Sequence, residues 1–369
     1  YDNGSTLTPV PDAPATSAAF TWTGAGPTAP TSPCIAFSGG ICQVTVNSAV
    51  VDGGVITVTS VTTEVAGDTV TGDTAESLVA AEPDGSLSAG KDWVRFELDV
   101  ETSATNLTGE DHAFTITGTL ITPDGSEALP EGSTVEYTFG PPGTAVPDGT
   151  CTVDAAGQCV VTVSSDDPGS GTIELTGVAD VPVGGATLAG TVADGDVTAT
   201  ADGSLTAVKQ WVEFDVDITP ATATNIVGDD HEFTISVQVD TGGGLTPLQI
   251  PPNSGTVDWS FDGPDGPDSD TCTLEAGGTC TVTQNSATPG TGTLTAETLN
   301  VTFNGEDLNP VDLTDENANG VSTSLTTPVE AEKTWVQLVV DVSDDATNIV
   351  GDDHEFTIFA WFDDGTGLT

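Results

Sequence analysis

The sequence predicts an all-β protein in which antiparallel β-sandwich domains follow one another in an elongated array. Three features predict it: segments that recur in a fixed order, apolar residues that alternate with period two inside them, and turn-forming clusters between them. No helical periodicity persists over a useful length.

The recurrence is the strongest of the three. Trp93, Trp211 and Trp335 open the similar segments KDWVRFELDV, KQWVEFDVDI and KTWVQLVVDV. Downstream of them come TNLTGEDHAFTI and two copies of TNIVGDDHEFTI. Paired cysteines recur as Cys34/Cys42, Cys151/Cys159 and Cys272/Cys280. The first cysteine pair lacks an upstream Trp segment, and the last Trp segment lacks a downstream cysteine pair. The chain therefore divides into a repeat at 1–90 lacking its first strands, repeats at 91–208 and 209–332, and the first strands of another at 333–369. Tyr1-Asp2-Asn3-Gly4 aligns with Phe362-Asp363-Asp364-Gly365, and the sequence reads as a window cut from something longer. Either the array continues in both directions, or one subunit's end completes the next subunit's first domain.

Each unit resolves into short strands. Val94, Phe96, Leu98 and Val100 alternate with polar residues, as do Val212, Phe214, Val216 and Ile218, and Val336, Leu338, Val340 and Val342. In the next segment His112, Phe114 and Ile116 share a face, a pattern repeated by His231, Phe233 and Ile235 and by His354, Phe356 and Ile358. A strand bearing Phe20/Trp22, Tyr137/Phe139 or Trp259/Phe261 precedes each cysteine pair. Turn signals such as PDG, GG and DPG separate the runs. Many short period-two strands in one unit give an antiparallel sandwich.

Composition narrows the function. The chain has 57 acidic residues against 4 basic ones, a formal net charge of −53. Such a surface repels nucleic acid and anionic membranes, attracts cations, and keeps an apolar-cored polymer soluble. With so few cations, stability must come from burial, backbone ladders and covalent links. No signal peptide or transmembrane run is present in the sequence.

The strings TNIVGDDHEFTI, GQCVVTVSSDDPGSGTI and GGTCTVTQNSATPGTGTL resemble the bacterial immunoglobulin-like repeats of invasin- and intimin-type surface proteins. The likeness recurs in order over nearly the whole chain. It implies a rod of stacked immunoglobulin-like domains displayed outside the cell, without enzymatic activity. The chain departs from the pattern in its extreme acidity. It also departs in a long segment between the cysteine hairpin and the next Trp strand, such as 176–208, expected to hold added edge strands or a decorating loop.

Each cysteine pair has the spacing C-x7-C around a Gly-containing turn. Cys159, Val161 and Val163 alternate together, which turns the sulfur toward the core valines. Three pairs with none left over indicate disulfides Cys34–Cys42, Cys151–Cys159 and Cys272–Cys280, and hence an oxidising, extracellular setting. A zinc site would need four ligands and finds two thiolates, a distant His and carboxylates.

His112, His231 and His354 each follow paired acids, two thirds of a triad, but no nucleophilic Ser or free Cys recurs beside them. The expected role is a partly buried imidazole bonded to a carbonyl or carboxylate. Ca²⁺ is the cofactor that the carboxylates Glu110, Asp111, Asp229, Asp230, Asp352, Asp353, Asp312 and Asp315 would suit; the plainer alternative is a solvated acidic surface. Lys91, Lys209 and Lys333 each stand two residues before the Trp, and Asn106, Asn225 and Asn348 recur in the TN motif. The lysines are expected to tether the interdomain joint to nearby acids; a Lys–Asn isopeptide bond is the alternative. Trp93, Trp211 and Trp335 lie opposite their strand's apolar face, and are expected either to pack on the preceding domain or to cap their own rim. Sequons at Asn3, Asn106 and Asn300 are candidate glycosylation sites.

Two functional classes follow. One is an extracellular rod, stalk or adhesin-type shaft whose partners are neighbouring repeats, with a surface or host ligand bound elsewhere. The other is a filament subunit that meets identical subunits head to tail by completing an unfinished sandwich.

Overall fold

The computed structural model describes residues 16–24, 30–35, 37–76, 79–81, 85–140, 142, 149–322 and 328–369. Asn3 and the rest of 1–15 lie outside the described residues, as does the alignment of 1–4 with 362–365. All regular structure among the described residues is β, and none contains a helix long and apolar enough to cross a membrane.

The first unit contributes one sheet. Strand β2 (Asp52–Val65) is its spine, with β1 (Ser17–Gly24) along one edge and β3 (Asp68–Asp73) and β4 (Ser88–Trp93) along the other.

The next unit is a two-layer sandwich. Its strands are β5 (Arg95–Val100), β6 (Ala104–Leu107), β7 (His112–Thr122), β8 (Gly125–Ala128), β9 (Thr134–Phe139), β10 (Gly149–Thr152), β11 (Gln158–Val163), β12 (Gly169–Val183), β13 (Ala186–Thr191), β14 (Val197–Ala199) and β15 (Thr206–Thr219). One layer runs β11-β7-β5-β14, with β8 also on β7. The other runs β10-β9-β12-β15, with β13 on β12 and β6 parallel to β15. Strand β5 thus pairs in one layer and β6, a few residues on, pairs in the other, so the chain's entry stitches both layers together. The 176–208 segment supplies added edge strands: β13 widens one layer, and β14 joins the other parallel to β5.

The third unit repeats the plan with β16 (Thr222–Ile226), β17 (His231–Asp240), β18 (Thr246–Pro247), β19 (Gly255–Gly263), β20 (Gly266–Thr273), β21 (Thr279–Gln284), β22 (Gly290–Phe303), β23 (Glu306–Asp312) and β24 (Val329–Val342). A hairpin of β24 with β25 (Ile358–Asp363) begins a fourth.

The alternation read from sequence is the burial pattern of the two sandwiches, whereas Leu338, Val340, Val342, Phe356 and Ile358 of the last hairpin segment are exposed. Phe96, Leu98 and Val100 point into the core against Phe114, Ile116, Val161 and Ile173. Each such side chain contributes on the order of 1.5–3 kcal/mol by leaving water. An edge-to-face aromatic pair recurs in every unit with a Trp strand end: Trp22–Trp93 at 6.0 Å, Phe139–Trp211 at 6.3 Å and Phe261–Trp335 at 5.9 Å. Room for the Phe ring comes from a glycine on the adjacent strand. A Cβ at Gly171 would lie 2.6 Å from Phe139 Cζ, and one at Gly292 would lie 2.3 Å from Phe261 Cζ. This explains the G-x-G that follows Pro168 and Pro289.

All three cysteine pairs are bonded, with Cα–Cα distances of 6.2, 5.9 and 5.9 Å, and the described residues include no free cysteine. In the middle pair the hairpin turn is locked by Asp154, whose Oδ1 accepts from the N–H groups of Ala156 and Gln158, while Gly157 takes φ +76°.

Candidate functional site at the strand that joins two sandwiches

The residues expected at 208/209 and 332/333 to divide one unit from the next lie inside uninterrupted strands, β15 and β24. In β15 the odd-numbered residues Ala207, Lys209 and Trp211 point into the first sandwich. From Val212 onward the even-numbered residues Val212, Phe214, Val216 and Ile218 point into the second. The inward face changes between Trp211 and Val212, consecutive residues that are both 0 % exposed in successive cores. Pleating sends neighbouring side chains to opposite faces, so one strand closes one sandwich and opens the next without a linker. Ala331, Lys333 and Trp335 repeat the pattern in β24.

The Trp residues therefore serve the core of the unit they end. Trp211 packs on Phe139, and its indole N–H donates to Glu110 O at 3.2 Å; Trp335 packs on Phe261 and donates to Asp229 O at 3.2 Å. Trp93 is half-buried against Trp22.

The lysines are the residues that sequence reasoning misplaced. Lys209 and Lys333 are fully buried at inward positions, whereas Lys91 is exposed. The first two do not reach out to acids as a surface tether would. Lys209 Nζ donates to Asn106 Oδ1 at 2.5 Å, and Lys333 Nζ to Asn225 Oδ1 at 2.7 Å. The partner is the Asn of the strand laid parallel beside it: β6 places Asn106 opposite Trp211, and β16 places Asn225 opposite Trp335. Each amide is held from behind as well, its Nδ2 donating to Asp111 O or Asp230 O at 3.1 Å. Burial pushes the Lys209 ammonium down to about 8, opposed by the Glu306 and Glu110 carboxylates, and burial lowers Lys333 in the same direction. The sequence signal was the A-x-K-x-W alternation, legible as an inward face only once the strand is known to serve two cores.

Beside each pair stands a histidine. His112 and His231 lie edge-to-face on Phe114 and Phe233 with centroids 4.6 Å apart. The bond to a carbonyl or carboxylate expected of these rings is not made at Nε2, which is buried without a hydrogen-bond partner in both. Burial lowers both pKa values, and the Lys209 or Lys333 charge lowers them further. His354 repeats the ring contact with Phe356, at 4.7 Å, but is exposed.

The other candidate residues are spread apart. Among the described residues, no three His, Cys, Asp or Glu side chains converge as a metal site would require, so the carboxylates considered for Ca²⁺ are not gathered into one. Several have local roles: Glu110 Oε2 accepts from Leu107 N, Asp230 Oδ1 from Asn285 Nδ2, Asp312 Oδ1 from Thr314 N, and Asp315 Oδ1 from Asn317 N. Asp111, Asp229, Asp352 and Asp353 sit in the turns before the His residues. Of the sequons, Asn106 is half-buried, donating from Nδ2 to Asp111 O and accepting at Oδ1 from Lys209 Nζ. Asn300 is half-buried in β22, donating to Asp258 Oδ2 at 3.2 Å.

The joint is reinforced across its width. Leu107, at the end of β6, is buried in the core of the following sandwich. Thr108 N donates to Val212 O, Gly320 N to Thr108 O, and Phe214 N to Gly320 O, so a loop of the second unit laces onto the first. Asn304 Nδ2 donates to Gln210 Oε1 at 3.0 Å. Sequence reasoning found none of these, because they join residues far apart in the chain.

No family model matches the chain, and no curated protein does. Solved structures align with it over much of its length. Three N-terminal domains of the bacteriophage RB49 highly immunogenic outer capsid protein align over 91% of each chain at 10% identity and a TM-score of 0.40. The C-terminal 282-residue fragment of intimin, solved with the intimin-binding domain of its translocated receptor, aligns over 66% of each chain at 12% identity and a TM-score of 0.27. The intimin D0-D1 domains align over 58% of this chain and 95% of theirs, at 17% identity and a TM-score of 0.19. The chain's own strand ladders make it a tandem, all-β array of two-layer sandwiches.

Proposed function

We propose that this chain is a segment of an extracellular structural rod, an adhesin-type shaft that gives mechanical reach and carries out no chemistry of its own on a substrate. The observation that carries this reading is the phase change in β15, where Trp211 ends one core and Val212 begins the next. A joint made of continuous strand, reinforced by Leu107 and the Gly320 loop, transmits tension and resists bending far better than a flexible linker. The three disulfides favour an oxidising exterior, and the acidic surface keeps neighbouring rods apart. Small-angle scattering tests the reading. A rod gives an extended particle one sandwich wide, and inserting Gly-Gly-Ser between Trp211 and Val212 broadens its distance distribution. A compact particle, or an insertion without effect, refutes the reading.

A specific feature favours a second reading, head-to-tail assembly. On the β24–β25 hairpin Leu338, Val340, Val342, Ile358 and Phe362 are exposed, with Leu338 opposite Phe362 and Val342 opposite Ile358. This is one apolar half of a core, and strands from a further repeat or from an identical subunit would cover it. Sedimentation across a concentration series discriminates: assembly predicts growing species that Val340→Asp abolishes, and a monomer at every concentration rules assembly out.

A further inference from the structure

We propose that Lys209 and Asn106, and likewise Lys333 and Asn225, are sites of spontaneous covalent cross-linking, each pair joining through an isopeptide bond inside its own sandwich. Three independent features of the geometry point there.

The first is placement. A lysine with no exposed surface is rare in a sandwich core, because desolvating an ammonium is costly unless a counter-charge meets it. Here the group touching each Nζ is a neutral primary amide, at 2.5 and 2.7 Å. The same pairing occurs in two sandwiches whose lysine and asparagine are 103 and 108 residues apart in sequence. Packing alone would be served as well by an apolar residue.

The second is orientation. The Asn106 and Asn225 side chains are fixed by a bond from Nδ2 to a backbone carbonyl, which turns the rest of the amide toward the lysine. Each fully buried nucleophile and its half-buried target are thereby held in contact, the condition under which intramolecular reactions gain most.

The third is protonation. Burial lowers both lysines, Lys209 to about 8, so the free amine is accessible near neutral pH. The Lys209 charge lowers His112 and the Lys333 charge lowers His231, and Nε2 of each ring is buried without a hydrogen-bond partner.

The reaction balances without a co-reactant. The lone pair of the neutral Nζ adds to Cγ of the asparagine, and the tetrahedral carbon expels Nδ2. One proton passes from Nζ to the departing nitrogen, which leaves as ammonia. The Cγ–Nζ amide replaces the Cγ–Nδ2 amide, and nothing is oxidised or reduced. The product ties the last strand of a sandwich to its second strand, β6 to β15 or β16 to β24, across the direction in which the rod would be pulled. An internal control is built in. Asn348 has the same Nδ2 bond, to Asp353 O at 2.9 Å, but among the described residues no lysine donates to it, and Lys91 is exposed. Neither should react within this chain.

Intact mass of the denatured, reduced protein decides the matter. The expected mass falls short of the sequence mass by two ammonia molecules. Lys209→Met and Lys333→Met each restore one, and the double variant restores both. Fragmentation of the digest should yield two branched peptides, one joining the 106 and 209 segments and one joining the 225 and 333 segments. A wild-type mass equal to that of the sequence overturns the proposal, whether or not the variants fold. So does a deficit that persists in the double variant.

Discussion

Trp211→Ala is the sharpest probe of how the units are joined. The ring is fully buried, lies edge-to-face on Phe139, and satisfies the Glu110 carbonyl. Truncating a buried Trp to Ala costs about 3–5 kcal/mol through lost burial and the cavity left behind. Leaving the Glu110 carbonyl unpaired adds about 1 kcal/mol, for a sum of about 4–6 kcal/mol. A sandwich of this size is stable by about 5–15 kcal/mol, so the loss consumes much of its margin. With a urea slope of about 2 kcal/mol/M, the midpoint of the affected unit should fall by about 2–3 M. The assay is urea unfolding followed by hydrogen exchange, which assigns each transition to its unit. The unit ending at residue 211 should unfold early, while the following one, anchored through Val212, keeps most of its stability. If Trp211→Ala left that midpoint unchanged and altered only interdomain angles in scattering, the indole would belong to a joint between domains, and the assignment to the core would be wrong.

Other outcomes follow from the same structure. Leu107→Ala should destabilise the downstream sandwich by about 2–4 kcal/mol although the residue precedes it in the chain, because its side chain is buried in that core; exchange protection of β17 and β22 reports it. Replacing Cys151 and Cys159 by Ser should cost the middle unit about 2–3 kcal/mol, read as an earlier thermal transition that matches the wild type under reductant. His231 has its pKa lowered from 6.5, mainly by burial, so the unfolded state binds the proton more readily than the folded one. The stability this contributes is present above pH 6.5 and is lost as pH falls from there toward the folded value. His231→Phe should flatten that acid limb in a pH series of urea midpoints, and an unchanged slope would show that the imidazole is solvated.

Local chemistry made much of the molecule legible from sequence. Alternation in VRFELDV and HAFTI fixed which side chains face inward, because pleating has a period of two. C-x7-C around a glycine turn brought the sulfurs together, because a hairpin of that length leaves few other arrangements. The recurrence of whole segments established a tandem array before any contact was known. Distance in the chain hid the rest. The inward face of β15 reverses between Trp211 and Val212, and a period-two pattern read in one phase makes Lys209 look like a surface residue. That Lys209 meets Asn106, in the same sandwich but 103 residues away, follows from β6 lying parallel to β15, and parallel pairing leaves no local signature. The sequence by itself determined the strands, the repeats and the sulfur pairs, since each arises from interactions between near neighbours. Only the tertiary structure decided where one core ends and the next begins, and which amide each buried lysine touches, since burial depends on what the rest of the chain packs against each face of the strand.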